Sequence, residues 1–437
     1  MPKKIIICII LFLIVGFLFS SDEYEIINRS VSPDSSPVTI RLMNNWNMVD
    51  NRGIAFQEII NSFANTHPNI RINRDSVSSK NYVTRLKIDF SSGHEPDIFV
   101  MWPGVTTERF IKNGQIASLN EALKADNDWY ERINKTTLNY LSCNGGVYAV
   151  PFEIVYACLF VNTDIMGKYG LEIPQDYNEL KSAVQTLKSH GVIPIAFNTT
   201  NEGLLMYQLI SALNGGPFYI ENIRNDDGTI NENYIKSAET MKELYNLGAF
   251  PPNAFSLSDY ERNELFLQKK AAMIVQYSSF AGNIYNSSKQ DKSTGLYTPA
   301  DDSVAVAPFP YDNSRYLLYG VGGDTFFVSS KTKSDKQKYS SALEVLEYFT
   351  SVEAANIYAE TSPTISAVKS ANATSVRYNP LMTNIHHMLS TPLAFLDFPY
   401  TFVDESIWTS VSDKFPNILL GTTDISSVWL NAFSADD

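Results

Sequence analysis

The sequence predicts an α/β protein built as two lobes, and three observations predict it. At 437 residues the chain is longer than one hydrophobic core usually organises. Apolar strand-like runs alternate with stretches of helical periodicity along most of its length, the pattern of parallel sheets flanked by helices. Two strand-like runs, Val147–Val150 and Ala157–Val161, are separated by Pro151 and Phe152, a place for the chain to cross from one lobe into the next. No internal repeat of about twenty to fifty residues is present, which argues against solenoids and propellers.

Composition is 44% hydrophobic and 19% charged, that of an ordinary globular protein. The formal charge of -13 repels phosphate backbones and anionic headgroups, so nucleic acid is not an expected partner. Lys3 and Lys4 precede an apolar run from Ile5 to Phe19, followed by Ser20, Ser21 and Asp22. This is the layout of an export signal cleaved near Ser20, the alternative being an N-terminal anchor over residues 1–20. Cys8 lies inside the run and not at its end after small residues, so no lipid attachment is expected. Residues 21–37, rich in Ser, Asn, Asp and Pro, read as a flexible leader.

The folded body is expected from Val38. A strand Val38–Met43 precedes a helix with Ala55, Phe56, Ile59, Ile60 and Phe63 on one face, and Ile70 and Ile72 alternate as the next strand. A helix over Tyr82–Phe90, a strand Asp97–Met101 and a helix ending at Gly114 follow. Beyond the crossing, a helix starts at Asp176 with Glu179 placed as in a capping box and stops at Gly191. Ile193–Phe197 is a strand; Leu204–Leu213, Ile235–Leu247 and Glu261–Gln268 are helical; Ala271–Val275, Val304–Ala307 and Thr325–Val328 are strands. The tail is helical over Tyr339–Phe349, Ile407–Leu420 and Ile425–Phe433, punctuated by Gly421. Cys143 and Cys158 sit among apolar strand-like residues, either as buried free thiols or as a bridge that export permits.

Several segments, in this order, resemble the family 1 extracellular solute-binding proteins of bacterial carbohydrate ABC transporters. Val38 through Trp46 to His67-Pro68-Asn69-Ile70 is similar to the family's opening strand, ligand loop and helix. GHEPDIFVMWPG, Gly93 to Gly104, is similar to its PDVF strand with an aromatic at the carboxyl end. GGVYAVPFEIVYACLFVN, Gly145 to Asn162, resembles the entry into the second lobe, and Gly170 to Ile195 the helix and strand after it. Lys270-Ala271-Ala272-Met273-Ile274 resembles the GKAAM strand with Lys269 in place of glycine. YGVGGDTFFV, Tyr319 to Val328, resembles the return crossing, and Leu420-Gly421 to Ala432 the closing helix. Where the family commonly carries Gly-Ser-Trp after GKAAM, this chain has Tyr277-Ser278-Ser279-Phe280.

The resemblance implies a two-lobed periplasmic-binding-protein fold, type II-like, with crossing hinge strands and a helical C-terminal tail. Lobe 1 is expected over 38–150 plus about 324–372, and lobe 2 over 151–323 plus about 373–437. It implies an exported, non-enzymatic protein, periplasmic or cell-surface associated, that captures a sugar or oligosaccharide between the lobes. The expected partners are that carbohydrate and the membrane permease subunits of an ABC importer. A monomer is expected, with no cofactor and no metal.

A pyranose needs aromatic plates for its C–H face and short polar groups for its hydroxyls. Trp46, among Asn44, Asn45 and Asn47, is either a ligand plate or a packed loop anchor, and Trp102, before Pro103-Gly104, either a plate or a lobe-packing residue. Glu153 and Tyr156 lie just beyond the crossing, Glu153 as a hydroxyl acceptor or a solvated hinge charge. Glu202 follows the strand ending at Phe197; Tyr277 or Phe280 supplies the platform after GKAAM; Asp324, behind two glycines, binds a hydroxyl or caps its turn; Trp408 is a second plate or core. Trp429 is assigned to core. No nucleophile elbow, zinc motif or phosphate loop is present. The alternatives are an exported glycoside hydrolase and a sugar-sensing module coupled to a membrane receptor.

Overall fold

The computed structural model describes residues 36–46, 51–77, 79–143, 145–216, 219–288, 303–311, 316–320, 325–371, 381–389 and 394–436. The expected export signal and nearly all of the expected leader lie outside them, as does Asp324.

Among the described residues, twelve strands build the two main sheets. They are β1 Val38–Asn44, β2 Ile70–Ser76, β3 Ile98–Met101, β4 Ala149–Pro151, β5 Glu153–Asn162 and β6 Ile193–Ala196. Then come β7 Ala271–Tyr277, β8 Val304–Ala307, β9 Tyr316–Gly320, β10 Thr325–Val328, β11 Ile365–Ser366 and β12 Ala394–Leu396. The helices used below are α1 Asn51–Thr66, α2 Ser79–Ser91, α3 Val105–Lys112, α4 Tyr177–Ser189, α5 Leu205–Gly215, α6 Glu232–Asn246 and α7 Asp259–Leu267. After them come α8 Ala281–Ser288, α9 Lys336–Phe349, α10 Val352–Thr361, α11 Leu381–Leu389, α12 Glu405–Leu420 and α13 Ile425–Asp436.

The first sheet has the order β2-β1-β3-β10-β4, with β1 parallel to both neighbours and β10 antiparallel to β3 and β4. The second has the path β12-β9-β5-β7-β6, with β8 and β11 also on β5. The protein is therefore two-lobed and α/β. The chain passes from the first sheet to the second across Phe152, between β4 and β5, and returns between β9 and β10. Where the sequence suggested a strand opening at Ala157, β5 begins at Glu153 and runs unbroken for ten residues.

The central strands of both sheets are buried on both faces, which is why they read as continuous apolar runs. Along β5, Val155, Ala157, Leu159 and Val161 enter one apolar cluster while Ile154, Tyr156, Cys158 and Phe160 enter another. In the first lobe, Phe326 and Val328 of β10 point into one cluster and Phe327 into the other. The period of two residues sorts each side chain to its face. Cys143 and Cys158 are both free, Cys158 fully buried.

Asp176 caps α4 by accepting from the amides of Asn178 and Glu179 at 2.8 and 2.9 Å. Glu179 reaches back one residue further than a capping box requires, to the amide of Gln175 at 2.8 Å. The reciprocal box occurs instead at Ser258 and Glu261, opening α7. That helix ends in a Schellman turn: Lys269 N–H donates to Phe266 and Lys270 N–H to Leu265, each at 2.9 Å. Lys269 takes φ +56°, a left-handed conformation that glycine adopts without strain. The departure from GKAAM thus falls on the residue whose backbone most favours glycine.

Candidate functional site

The loop after β6 carries Glu202 and is folded tightly on itself. Asn198 is fully buried and donates to the carbonyl of Leu257 at 3.1 Å and to Asp259 at 3.0 Å. Thr200 also donates to Asp259, and its hydroxyl accepts from Gly203 N–H at 3.0 Å. A Cβ at Gly203 would fall 1.8 Å from Asn198 Oδ1, so only glycine lets the loop turn there. Glu202 is set between these anchors.

Its carboxylate is held at one oxygen. Arg262 of α7 donates to Oε1 at 2.7 Å and Gln276 of β7 at 2.8 Å. Oε2 accepts nothing from the described residues, and the side chain is 39% exposed, whereas Arg262 behind it is 2% exposed. Burial pushes the Glu202 carboxyl upward, but the Arg262 charge, the Gln276 and Arg262 hydrogen bonds and the Arg52 charge outweigh it and hold it below its ordinary range. Asp259, 3.4 Å from the same guanidinium, is pushed up by burial and then by the Glu202 charge. At neutral pH Glu202 is an ionised acceptor, with one oxygen bonded to Arg262 and Gln276 and the other without a donor among the described residues.

Beside it runs a line of aromatic rings from one lobe to the other. Tyr277, at the end of β7, meets Phe398 edge-on at 5.5 Å; Phe398 stacks on Tyr400 at 5.8 Å; Tyr400 meets Trp102 edge-on at 6.4 Å. Trp102 directly follows β3 in the first lobe, and Trp102, Tyr277 and Tyr400 are half-buried. Burial, then the neighbouring Tyr400 and Glu202, push the Tyr277 phenol up, and burial does the same for Tyr400. Both phenols are therefore neutral at physiological pH.

The lobes also touch directly. Arg109 and Thr106 of α3 both contact Asp404, which precedes α12 in the second lobe. A Cβ at Gly104 would lie 2.9 Å from the carbonyl oxygen of Thr401, so the turn after Trp102 fits against the second lobe only as glycine. At the crossing, Arg52 of α1 pairs with Glu153 and donates to the Tyr358 hydroxyl at 3.3 Å, while Thr364 donates to the other Glu153 oxygen at 2.8 Å.

Of the residues singled out in the sequence, Trp102 and Tyr277 belong to the line of rings, and Glu202 stands beside Tyr277. Trp46 is not among them: it is 3% exposed and packs edge-on against Phe56 at 4.6 Å and Phe326 at 6.4 Å, the loop-anchor alternative. Tyr156 is fully buried by the parity of β5 and donates to the carbonyl of Ile385 at 2.7 Å. Phe280 is packed against Phe160 and Phe266, which leaves Tyr277 as the aromatic after the GKAAM-like strand. Trp408 is 4% exposed between Tyr207 and Trp429, so its helical spacing marked core. Glu153 is fully buried in its ion pair and is neither a solvated hinge charge nor open to a ligand.

Sequence reasoning missed Tyr400, Phe398, Arg262 and Arg52. Arg262 had a signal: it sits four positions before Phe266, on the buried face of α7, where a charge needs a partner. Phe398 and Tyr400 lie in the aromatic run before Asp404, with no periodicity to assign them.

Two α/β lobes joined by crossing strands, meeting along a line of aromatic rings and polar contacts, define the architecture of the two-lobed binding proteins. Residues 50–356 match the model of the bacterial extracellular solute-binding proteins, and the chain belongs to that family, one of exported binding proteins and not of enzymes. It is 22% identical over 276 residues to a probable sugar-binding periplasmic protein of Mesorhizobium japonicum, covering 61% of this chain and 64% of that relative. It is 23% identical over 442 residues to the multiple sugar-binding protein of Streptococcus mutans, covering 94% of each. A chain solved in work on xylan utilization by Caldanaerobius polysaccharolyticus superposes with a TM-score of 0.78 at 19% identity, over 92% of this chain and all (100%) of that one.

Proposed function

We propose that this protein captures a sugar or oligosaccharide in the cleft between its lobes and delivers it to the membrane permease subunits of an ABC importer. The observation that carries the reading is the ionised Glu202, with Oε2 presented beside the half-buried rings of Tyr277, Tyr400 and Trp102. A carboxylate oxygen accepts a hydroxyl, and aromatic faces take the C–H face of a pyranose. The names of the Mesorhizobium and Streptococcus relatives support the same ligand class.

In this reading the lobes are 38–150 with about 324–372 and 151–323 with about 373–437. They close by hinge motion at the crossings, a ligand touching both lobes favours the closed form, and the permease recognises that form in a monomeric partner. The apolar run from Ile5 to Phe19 directs export, either removed or kept as an anchor.

A thermal-shift screen across mono- and oligosaccharides tests the ligand class, because a solute bound only by the folded state raises the melting temperature. A sugar that raises it, without being hydrolysed, is the expected result. A peptide or polyamine that raises it when no sugar does would overturn the carbohydrate reading.

A further inference from the structure

We propose that Arg262 is a positioning residue for ligand recognition: from behind the cleft it fixes Glu202 so that Oε2 alone meets a donor hydroxyl of the bound solute. The proposal rests on the carbohydrate reading of the cleft.

Three features of the geometry carry it. Arg262 is 2% exposed, so it is out of reach of a solute in the cleft, and its guanidinium is spent on the protein. Nη1 donates to Asn198 Oδ1 at 3.3 Å, Nε to Asn263 Oδ1 at 3.2 Å, and Nη2 to Asn263 at 3.0 Å and Glu202 at 2.7 Å. The same group thus grips both the loop's buried anchor, Asn198, and its exposed carboxylate. Second, Gln276 donates to the same oxygen of Glu202 and not to the other, so both bonds select one carboxylate rotamer. Third, the Glu202 side chain is 39% exposed where its own loop, α7 and β7 meet, while Arg262 is 2% exposed, so a solute can reach the carboxylate and not the guanidinium.

A planar guanidinium suits this task, because its donors are locked in one plane and give direction as well as charge. Among the described residues, the charged or titratable groups facing Glu202 are Arg262 and Asp259 of α7, Tyr277 of β7 and Arg52 of α1, with Tyr400 reaching it through Tyr277. Arg52 pairs with Glu153, and among the described residues Arg262 is the cation in direct contact with Glu202. Without it, the Glu202 carboxylate would lose its fixed orientation and the cation that keeps it ionised. A solute would then meet an acceptor that is misdirected and, in mild acid, protonated.

The test uses the full chain with 13C-labelled glutamate side chains, the Glu202 signal being assigned by its loss in Glu202→Gln. Xylotriose, maltotriose and chitotriose serve as probes. In the unmodified protein Glu202 should titrate below the other glutamates, and in Arg262→Gln its midpoint should move up into or above their range. For whichever trisaccharide binds, affinity at neutral pH should fall about tenfold or more and fall further on acidification, and Arg262→Lys should recover part of both effects. If Arg262→Gln does not fold, Gln276→Met removes the other donor to the same oxygen and should give the same two effects, smaller.

An unmoved Glu202 midpoint, or an affinity that drops without any new pH dependence, would leave Arg262 as a packing residue and overturn the proposal. If the midpoint moves as expected but none of the three sugars binds, the carbohydrate reading fails with these probes, and the role in recognition falls with it. The two failures are thereby told apart.

Discussion

Asp404 of the second lobe, 2% exposed, forms an ion pair with Arg109 of the first lobe, and Thr106 donates to its other oxygen at 3.3 Å. The donors stand on α3 and the acceptor at the start of α12, so the contact spans the two lobes and is lost when they part. Arg109→Ala should favour the open form and weaken sugar binding by about 1 kcal/mol, about fivefold. Calorimetric titration paired with small-angle scattering checks this. Unchanged affinity and an unchanged radius of gyration would make the pair incidental to closure.

Trp46 and Trp102 both follow a strand of the first sheet, yet their substitutions should separate cleanly. Trp46→Ala removes a ring packed on Phe56 and Phe326 and should destabilise the fold by about 3–5 kcal/mol. Trp102→Ala, at a half-buried ring, should leave the urea midpoint nearly unchanged and weaken sugar binding about tenfold. The opposite pattern, with Trp102→Ala unfolding the chain, would return Trp102 to a packing role.

Lys269 offers a stabilising change. Its left-handed backbone closes the Schellman turn of α7, where a side chain is strained. Its ion pair with Asp164 at 2.6 Å lies between exposed side chains and offsets little of that strain. Lys269→Gly should raise stability by about 0.5–1 kcal/mol, read as a higher melting temperature. A lower melting temperature would mean that the ion pair outweighs the backbone.

His386 of α11 sets an acid limit. Burial depresses its pKa, and Nε2 is buried without a hydrogen-bond partner among the described residues. The unfolded chain therefore takes up the proton first: this contribution to stability is intact above about pH 6.5 and is lost as pH falls through the folded value. The melting temperature should drop more steeply between about pH 7.5 and pH 5 in the unmodified protein than in His386→Leu. Parallel curves for the two proteins would rule the residue out.

Periodicity located β1 to β8, β10 and most of the long helices, because buried strands and helices with one apolar stripe write their spacing into the chain. The strands β9, β11 and β12 and the helices α8, α10 and α11 were not singled out. Val304–Ala307 and Thr325–Val328 are the same in sequence and structure. The site was less legible. Trp102, Glu202 and Tyr277 were singled out because each stands past or at the carboxyl end of a strand, where open α/β sheets bind, and the proposed site keeps these three. Tyr156 was not placed by that rule; counting parity along β5 from Phe160 would have sent it inward.

The sequence by itself determined the α/β class, the two lobes, the crossing at Pro151–Phe152 and the residue, Lys269, that departs from the expected glycine. Those features are local: each follows from spacing, turn chemistry or an apolar run within a short window. Only the tertiary structure decided which ring faces the cleft and which the core, and which oxygen of Glu202 is presented. Trp46 is covered by Phe326, while Trp102 meets Tyr400, in each case a residue far away along the chain. Glu202 depends likewise on Arg262 and Gln276, brought to it by a helix and a strand that no local pattern pairs with its loop.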